Sequence, residues 1–172
     1  RELKYRQRAA GFIQDMGERL NHNVKDPRAR ISQLCLSAAM VYMHRFYVFH
    51  PFQTFDWRDV GATALFQAGK MEDCPRKLEH IVIVWHRLKH PAEPTLHPSQ
   101  EKYQQGVALI TTLENILLQT ISFDLEIKIP HAVIMSKAKT VGFHLNKDLV
   151  EAAYWFASDI LHMTTFCIRY RM

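Results

Sequence analysis

The 172-residue sequence lacks the short patterns on which many catalytic and nucleotide-binding loops depend. Only six glycines are present, and neither GxGxxG nor GxxxxGKS/T, the two glycine-rich phosphate-binding patterns, occurs. The HExxH pattern of zinc peptidases and the GxSxG pattern of serine hydrolases are also missing. These absences favour a protein that is not an enzyme and that needs no cofactor.

Cysteines and long apolar runs are also scarce. The three cysteines, Cys35, Cys74 and Cys167, are far apart, odd in number and without a CxxC pair. This usage is typical of a reduced intracellular protein and excludes a dense disulfide framework. No run of about 18 uncharged apolar residues occurs, so we expect no helix across a membrane and no membrane partner.

The net charge is basic, but the basic residues form only short clusters along the sequence. Lys and Arg number 22 against 17 Asp and Glu, a formal net charge of +5, and 48% of the residues are hydrophobic, as in ordinary globular domains. A basic balance favours acidic partners. The basic clusters are short, however, and comprise Lys4, Arg6 and Arg8, and Arg28 and Arg30. We therefore expect no direct nucleic-acid binding by this stretch of chain.

Apolar residues recur at helical spacing along most of the chain, and no segment alternates convincingly as a strand. In the second predicted helix, for example, the apolar recurrence runs from Leu34 to Phe49. The sequence therefore predicts an all-α fold. Its seven predicted helices span residues 5–20, 31–50, 57–75, 77–89, 98–122, 130–140 and 147–166.

The third predicted helix is unusual because it is apolar around most of its circumference. Val60, Ala64 and Ala68 share one face, and Phe66 lies on roughly the opposite side. A helix of this kind is surrounded by protein. It nevertheless ends in the charged residues 70–73 before Cys74 and Pro75 stop it, so we expect a central helix whose charged end reaches the surface.

Glu114 lies near the middle of the apolar arc of the fifth predicted helix. An unpaired carboxylate is costly in such a place, which makes Lys70, at the end of the third helix, a candidate partner. The alternative is that this part of the arc faces solvent. Glu72 and Asp73 lie at a helix C-terminus, where the helix dipole disfavours acids. They indicate either a basic partner or two solvated surface acids.

Two histidine features have less specific interpretations. His86 and His90 are four residues apart on one helix and could share a metal, but no third ligand has suitable spacing, since Cys74 is twelve residues from His86. We expect no metal site. His44 and Arg45 interrupt an apolar helix, and a buried structural arginine is the interpretation that the pattern favours.

Several segments together resemble the cyclin family, and within it the transcriptional cyclins of the T type. The lysine near the end of the third helix and the glutamate of the fifth are general cyclin features. The Tyr-Met-His-Arg-Phe run at 42–46 and the Leu-His-x-Thr-Thr-Phe run at 161–166 are typical of the transcriptional members. The resemblance rests on residues 2–7, 14–17, 41–47, 64–70, 77–80, 113–114, 118–120, 130–131 and 161–166.

The resemblance implies a cyclin box of five helices, about residues 5–123, arranged around a central third helix. We accordingly expect an N-terminal cyclin box at 1–124 and the first helices of a second cyclin-like repeat at 125–172, a repeat that looks truncated. The polar connector 25–30 looks like an insertion relative to the usual pattern.

The same resemblance implies a regulatory subunit that acts in the nucleus. Such a cyclin binds and activates a cyclin-dependent kinase of the transcription-elongation type, within positive transcription elongation factor b. The kinase then phosphorylates the C-terminal repeats of RNA polymerase II. By resemblance, the kinase-binding residues are Lys70, Glu72, Asp73, Glu114 and Phe123, with Asp73 standing where related chains carry glutamate.

Two alternatives remain open at the level of sequence. One is a cyclin-fold binding module of a general transcription factor, which grips DNA or a promoter protein; the lack of a long basic stripe counts against it. The other is a cyclin K-like kinase partner. The sequence does not indicate which kinase isoform is bound, or whether viral or inhibitory proteins dock.

Overall fold

The computed structural model describes residues 1–22 and 24–169, and this part of the chain is helical without strands. The predicted all-α fold is therefore confirmed. Short 3-10 turns occupy Pro27–Ala29 and Phe143–Leu145. The α-helices of the described residues are α1 (Glu2–Asn21), α2 (Gln33–Phe49), α3 (Trp57–Met71), α4 (Leu78–Lys89), α5 (Glu101–Thr120), α6 (Pro130–Thr140), α7 (Lys147–Met163) and α8 (Phe166–Arg169).

The described residues form eight α-helices where the sequence predicts seven, because the last predicted helix ends at Met163 and a short helix, α8, follows it. Thr164 takes an extended conformation after α7, and its hydroxyl oxygen accepts a hydrogen bond from the Phe166 N–H at 3.2 Å. A threonine that bonds locally in this way starts a new turn. Residues 170–172, which the predicted second repeat includes, lie outside the described residues.

Helix α3 is the centre of the fold, as predicted from the apolar residues around most of its circumference. Every residue from 59 to 69 is buried, and α3 packs against α1, α2, α4 and α5. Its start is fixed by the carboxylate of Asp56, which accepts a hydrogen bond from the Arg58 N–H at 2.8 Å. Because α3 is enclosed on all sides, only its two ends are left to reach the surface.

The C-terminal end of α3 comes earlier than predicted, at Met71. Asp73 adopts a left-handed conformation with φ 52°, and the Cys74 N–H turns back to donate to the Gly69 carbonyl at 3.1 Å. This is the usual way in which a helix satisfies its last carbonyls. Residues 72–75 therefore form a turn rather than the last residues of the helix.

The buried arginine is Arg6 of α1, so the interpretation of Arg45 as a buried structural arginine is wrong. Arg6 is almost fully buried and donates to the carbonyls of His44 and Tyr47, each at 2.8 Å. Arg45 is partly exposed and pairs with Asp124 at 3.2 Å. The two hydrogen bonds from Arg6 connect α1 to the C-terminal part of α2.

His44 connects α2 to α7 inside the fold. Its Nε2 lies 2.9 Å from the Leu161 carbonyl, so Nε2 carries the proton and donates, which leaves Nδ1 to accept from Arg6 Nη1 at 3.3 Å. Burial lowers the pKa of His44 to about 4. A neutral histidine with this tautomer thus joins three helices through their backbones and side chains.

The second part of the chain leaves much apolar surface uncovered. Helix α7 packs against α1 and α2, whereas α6 contacts α7 and the turn between them. No helix in the described part of the chain has the length and hydropathy needed to cross a membrane. The exposed large apolar side chains of α6, α7 and their connection are Val133, Met135, Val141, Phe143, Leu145, Leu149, Trp155, Phe156 and Met163.

Candidate functional site

Lys70 and Glu114 meet at the charged end of α3. Lys70 Nζ donates a hydrogen bond to Glu114 Oε1 at 2.7 Å, and the two side chains are 41% and 13% exposed. The predicted pairing of these residues is confirmed. Glu114 lies at the edge of the buried face of α5, not in the middle as the helical wheel predicts, and this position brings it beside α3.

The position of the lysine is fixed by a second contact. Lys70 Nζ lies 4.1 Å from the ring centroid of Phe66, one helical turn earlier in α3. A cation over an aromatic face is attracted by the ring's quadrupole. Because Phe66 is itself buried, the ammonium group is held between a fixed ring and a fixed carboxylate. The pair is therefore a preorganised feature of the surface.

The turn after α3 presents two acids. Gly69 allows the close approach of this turn, because a Cβ on this residue would lie only 3.2 Å from the Cys74 carbonyl oxygen. The tight turn leaves Glu72 half-buried and Asp73 exposed. Neither acid forms an ion pair with a side chain that the structure describes.

Phe123 follows the end of α5 in a costly conformation. Ser122 and Phe123 both take left-handed backbones, with φ 56° and 57°, and the Phe123 N–H donates to the Leu118 carbonyl at 2.9 Å. The Phe123 side chain is 65% exposed. A bulky residue at positive φ and an exposed aromatic ring are each unfavourable, and such features concentrate at functional sites.

Helix α2 fixes the chain on the far side of Phe123. Arg45 Nη1 donates to the Asp124 carbonyl at 3.0 Å, and the Tyr42 hydroxyl donates to the Leu125 carbonyl at 2.8 Å. From Glu114 to the end of α5 is about 9 Å along the helix axis. Phe123 therefore extends the surface beyond the ion pair of Lys70 and Glu114.

Other exposed apolar residues adjoin these positions and are not apparent from the sequence. Met71 is exposed next to Lys70. Phe49, which the apolar recurrence of α2 assigns to the core, is also exposed, because it is the last residue of the helix. Val48 and Phe49 line a cleft of about 420 Å³ that reaches Ser122 and Asp124. The spacing of apolar residues in the sequence does not indicate that the C-terminal end of α2 extends beyond the core.

His86, in α4, lies close to His90, which directly follows the helix. The rings of His86 and His90 are 5.0 Å apart, and His86 Nε2 lies 3.3 Å from Glu93 Oε2. Burial lowers the pKa of His86. Within residues 1–22 and 24–169, no three His, Cys, Asp or Glu side chains are grouped so that they could hold a metal ion.

Two protein families match the chain in succession. Residues 4–126 match the cyclin N-terminal domain, and residues 129–172 match the cyclin-T2-like C-terminal domain. Both matches agree with a helical chain in which α3 is surrounded by its neighbours and pairs with α5 at one end.

Individual relatives are similar over nearly the whole chain. Human cyclin-T2 is 42% identical over 171 residues and human cyclin-T1 42% identical over 170, in each case 99% of this chain and 22% of the relative. Cyclin-T1.1 of Caenorhabditis elegans is 42% identical over 170 residues, 98% of this chain and 36% of the relative. The chain thus spans about a fifth to a third of the length of these relatives. The chain belongs to the cyclin family, and it is similar to cyclin T over nearly its whole length.

Proposed function

We propose that this protein is a regulatory subunit that binds and activates a cyclin-dependent kinase of the transcription-elongation type. The observation that carries the proposal is the preorganised pair of Lys70 and Glu114 at the exposed end of the central helix. Its support is the similarity to cyclin-T1 and cyclin-T2, which covers both cyclin segments of the chain.

The chemistry of the surface suits a protein partner that has both basic and apolar groups. Glu72 and Asp73 offer carboxylates that lack an ion pair among the described residues, and Phe123 offers an exposed ring next to a cleft. Interfaces gain affinity from such aromatic anchors, whereas charges at the rim steer association. We propose Lys70, Glu72, Asp73, Glu114 and Phe123 as the kinase-binding residues.

Activation of the kinase follows from differential affinity. A protein kinase is active only when its catalytic Lys–Glu pair is formed, which depends on the position of the Glu-bearing helix. A cyclin that binds the active arrangement better than the inactive one shifts the kinase population toward activity. The rigid attachment of the turn after α3 to the buried helix would let this surface hold the partner in one arrangement.

The subunit itself performs no chemistry in this proposal. All phosphoryl transfer belongs to the kinase, and the substrate is the C-terminal repeat region of RNA polymerase II, in the nucleus. The complex corresponds to positive transcription elongation factor b. We further propose that residues 1–124 form the cyclin box and that 125–172 belong to a second cyclin-like repeat. The change of family match between residues 126 and 129 supports this division.

A binding experiment with a purified elongation-type cyclin-dependent kinase tests the proposal. The expected result is a stoichiometric complex and a large rise in phosphorylation of an RNA polymerase II repeat peptide. Human cyclin-T1, assayed in parallel, is the positive control. Absence of a complex with this chain, under conditions in which cyclin-T1 binds, would refute the proposal. Salt-dependent binding to DNA in place of the kinase would instead identify a general transcription factor module.

A further inference from the structure

We propose that His86, His90 and Glu93 form a pH-sensitive latch, which holds the segment between α4 and α5 (residues 90–100) in place at neutral pH and releases it in acid. Glu93 is the central residue, because its carboxylate reaches side chains at both ends of the segment. Its Oε2 lies 3.3 Å from His86 Nε2 and 2.9 Å from Lys102 Nζ, and its Oε1 lies 3.9 Å from His90 Nδ1. A single carboxylate thus joins the end of α4 to the first turn of α5.

The imidazole of His86 is buried in a way that disfavours its charged form. The residue is only 5% exposed. Because an ionised carboxylate can only accept a hydrogen bond, the proton of the neutral ring lies on Nε2, which faces Glu93. The other ring nitrogen, Nδ1, is buried and has no hydrogen-bond partner among the described atoms. Protonation would convert Nδ1 into a charged N–H donor without an acceptor, which is unfavourable inside a protein.

The net charge around Glu93 also changes in acid. At neutral pH the carboxylate is paired with the ammonium group of Lys102. The ring centroids of His86 and His90 are 5.0 Å apart, so protons on both rings would place three cations around one anion. The hydrogen bond from Lys102 lowers the pKa of Glu93, which keeps this carboxylate ionised in mild acid. The cluster therefore passes from no net charge to an excess of two positive charges.

The other helices that pack on α4 bring no second carboxylate to the buried ring in the described part of the chain. The buried face of α1 is apolar apart from Arg6, which donates to carbonyls of α2. Helix α3 contributes Asp59, whose carboxylate accepts a hydrogen bond from Lys89 at 2.6 Å. In α5, Glu101 is exposed and accepts a hydrogen bond from within its own helix at 3.0 Å. The counter-ion available to the ring is therefore Glu93.

The direction of the switch follows from these surroundings. Burial lowers the pKa of His86, and the charges of His90 and Lys102 act in the same direction, against Glu93. A pKa that is lowered in the closed arrangement means that protons bind more tightly once the ring is released into water. The latch should therefore be closed above about pH 6.5, the ordinary pKa of histidine, and open progressively below it.

Opening of the latch would expose the apolar side of the segment. The Glu93 N–H donates to the His90 carbonyl at 3.0 Å, and the His90 N–H donates to the His86 carbonyl at 2.8 Å, so both bonds depend on the latch. Further along the segment, Leu96 is buried. A cleft of about 620 Å³, lined in part by Glu93, Leu96 and Lys102, separates the segment from the start of α5 and leaves room for movement.

Hydrogen exchange of the 172-residue protein at pH 7.5 and pH 5, with rates corrected for the intrinsic effect of pH, tests the proposal. We expect the protection of the His90 and Glu93 amides to fall by about tenfold or more at pH 5, because they exchange through local opening of the segment. His86→Gln keeps a donor toward Glu93 but cannot gain a charge, so most of this fall should disappear. His90→Gln, at a partly exposed position that tolerates substitution, should reduce the fall.

Two other histidines supply the controls. His80 is exposed on the same helix, and His80→Gln should retain the full fall in protection. His44→Gln acts on global stability and should also leave the fall at His90 and Glu93 in place. Equal protection at both pH values in the wild-type protein, or an undiminished fall in His86→Gln or His90→Gln, would overturn the proposal. A fall that disappears in His44→Gln would assign the effect to global unfolding and would overturn it as well. None of these results depends on kinase binding.

Discussion

Replacing Glu114 with glutamine separates a kinase-binding role of the pair from a structural one. The substitution keeps the size of the side chain and its ability to accept a hydrogen bond from Lys70, but it removes the negative charge. Lys70 is 41% exposed, so solvent screens the pair in the free protein. Exposed ion pairs contribute about 0.2–1 kcal/mol to stability. We therefore expect the free energy of unfolding to fall by no more than about 1 kcal/mol, a decrease in melting temperature of about 2–4 °C.

The effect on kinase binding should be larger, because the partner would exclude water from the same pair. Truncating one member of a desolvated charge pair costs about 2–5 kcal/mol, and replacement by an isosteric amide retains part of the hydrogen bond. We expect Glu114→Gln to weaken kinase binding by about 1.4–2 kcal/mol, or roughly 10- to 30-fold in Kd. Isothermal titration calorimetry with the kinase, together with urea unfolding of the free protein, measures the two effects separately.

The chain provides a matched control for this measurement. Lys102 and Glu93 form another Lys–Glu pair, with an N–O distance of 2.9 Å, and both side chains are exposed. Lys102 lies twelve residues before Glu114 in α5, about 18 Å along the helix axis. Glu93→Gln should therefore have a similarly small effect on stability and leave kinase affinity unchanged. Loss of more than about 2 kcal/mol of stability in Glu114→Gln, with full affinity in the folded protein, would show that the pair is structural.

Three further substitutions have distinct expected effects. Phe123→Gly should weaken kinase binding at least tenfold while the free energy of unfolding stays constant or rises by up to about 1 kcal/mol, since glycine relieves the positive φ; calorimetry and urea unfolding give the two values. Gly69→Ala should lower the free energy of unfolding by about 1–3 kcal/mol through contact with the Cys74 carbonyl. Its control, Gly11→Ala, meets only His162 Nε2 at 3.6 Å and should be neutral or stabilising in the same urea titration. Finally, the pKa of His44 is lowered to about 4 from 6.5, so the unfolded chain binds a proton there that the folded protein does not. The contribution of His44 to stability should thus be constant above about pH 7.5 and fall by about 2 kcal/mol between pH 7.5 and 5, and His44→Gln should remove this contribution in urea unfolding.

Some features of the fold can be predicted from the sequence because they depend on burial, and the polarity of a side chain indicates whether it can be buried. The central position of α3 follows from its apolar circumference. The pairing of Glu114 with Lys70 follows from the cost of leaving a carboxylate unpaired on an apolar face. In both cases a single physical requirement, the exclusion of water, limits the arrangements that the chain can adopt.

Other features depend on backbone groups, which every residue carries. Arg6 is buried because the carbonyls of His44 and Tyr47, at the end of α2, accept its hydrogen bonds. Nothing in the side chains of α2 indicates those acceptors, so the sequence favours Arg45, which lies inside an apolar helix, as the buried arginine. At the end of α7, likewise, the backbone N–H of Phe166 donates to the Thr164 hydroxyl, and the apolar pattern of the sequence does not indicate this bond.

The path of the chain near Phe123 is difficult to predict from the sequence for a third reason. Ser122 and Phe123 adopt left-handed conformations without a glycine to signal them, so the direction of the chain after α5 cannot be deduced from residue preferences. That direction is set by long-range hydrogen bonds from Arg45 and Tyr42 to residues 124 and 125. The exposed ring of Phe123 is thus positioned by α2, whereas Lys70 and Glu114 are positioned by the packing of α3 on α5. A substitution such as Tyr42→Phe, which removes one of those hydrogen bonds, would disturb Phe123 while leaving the ion pair intact, so the two halves of the proposed kinase-binding surface are physically separable.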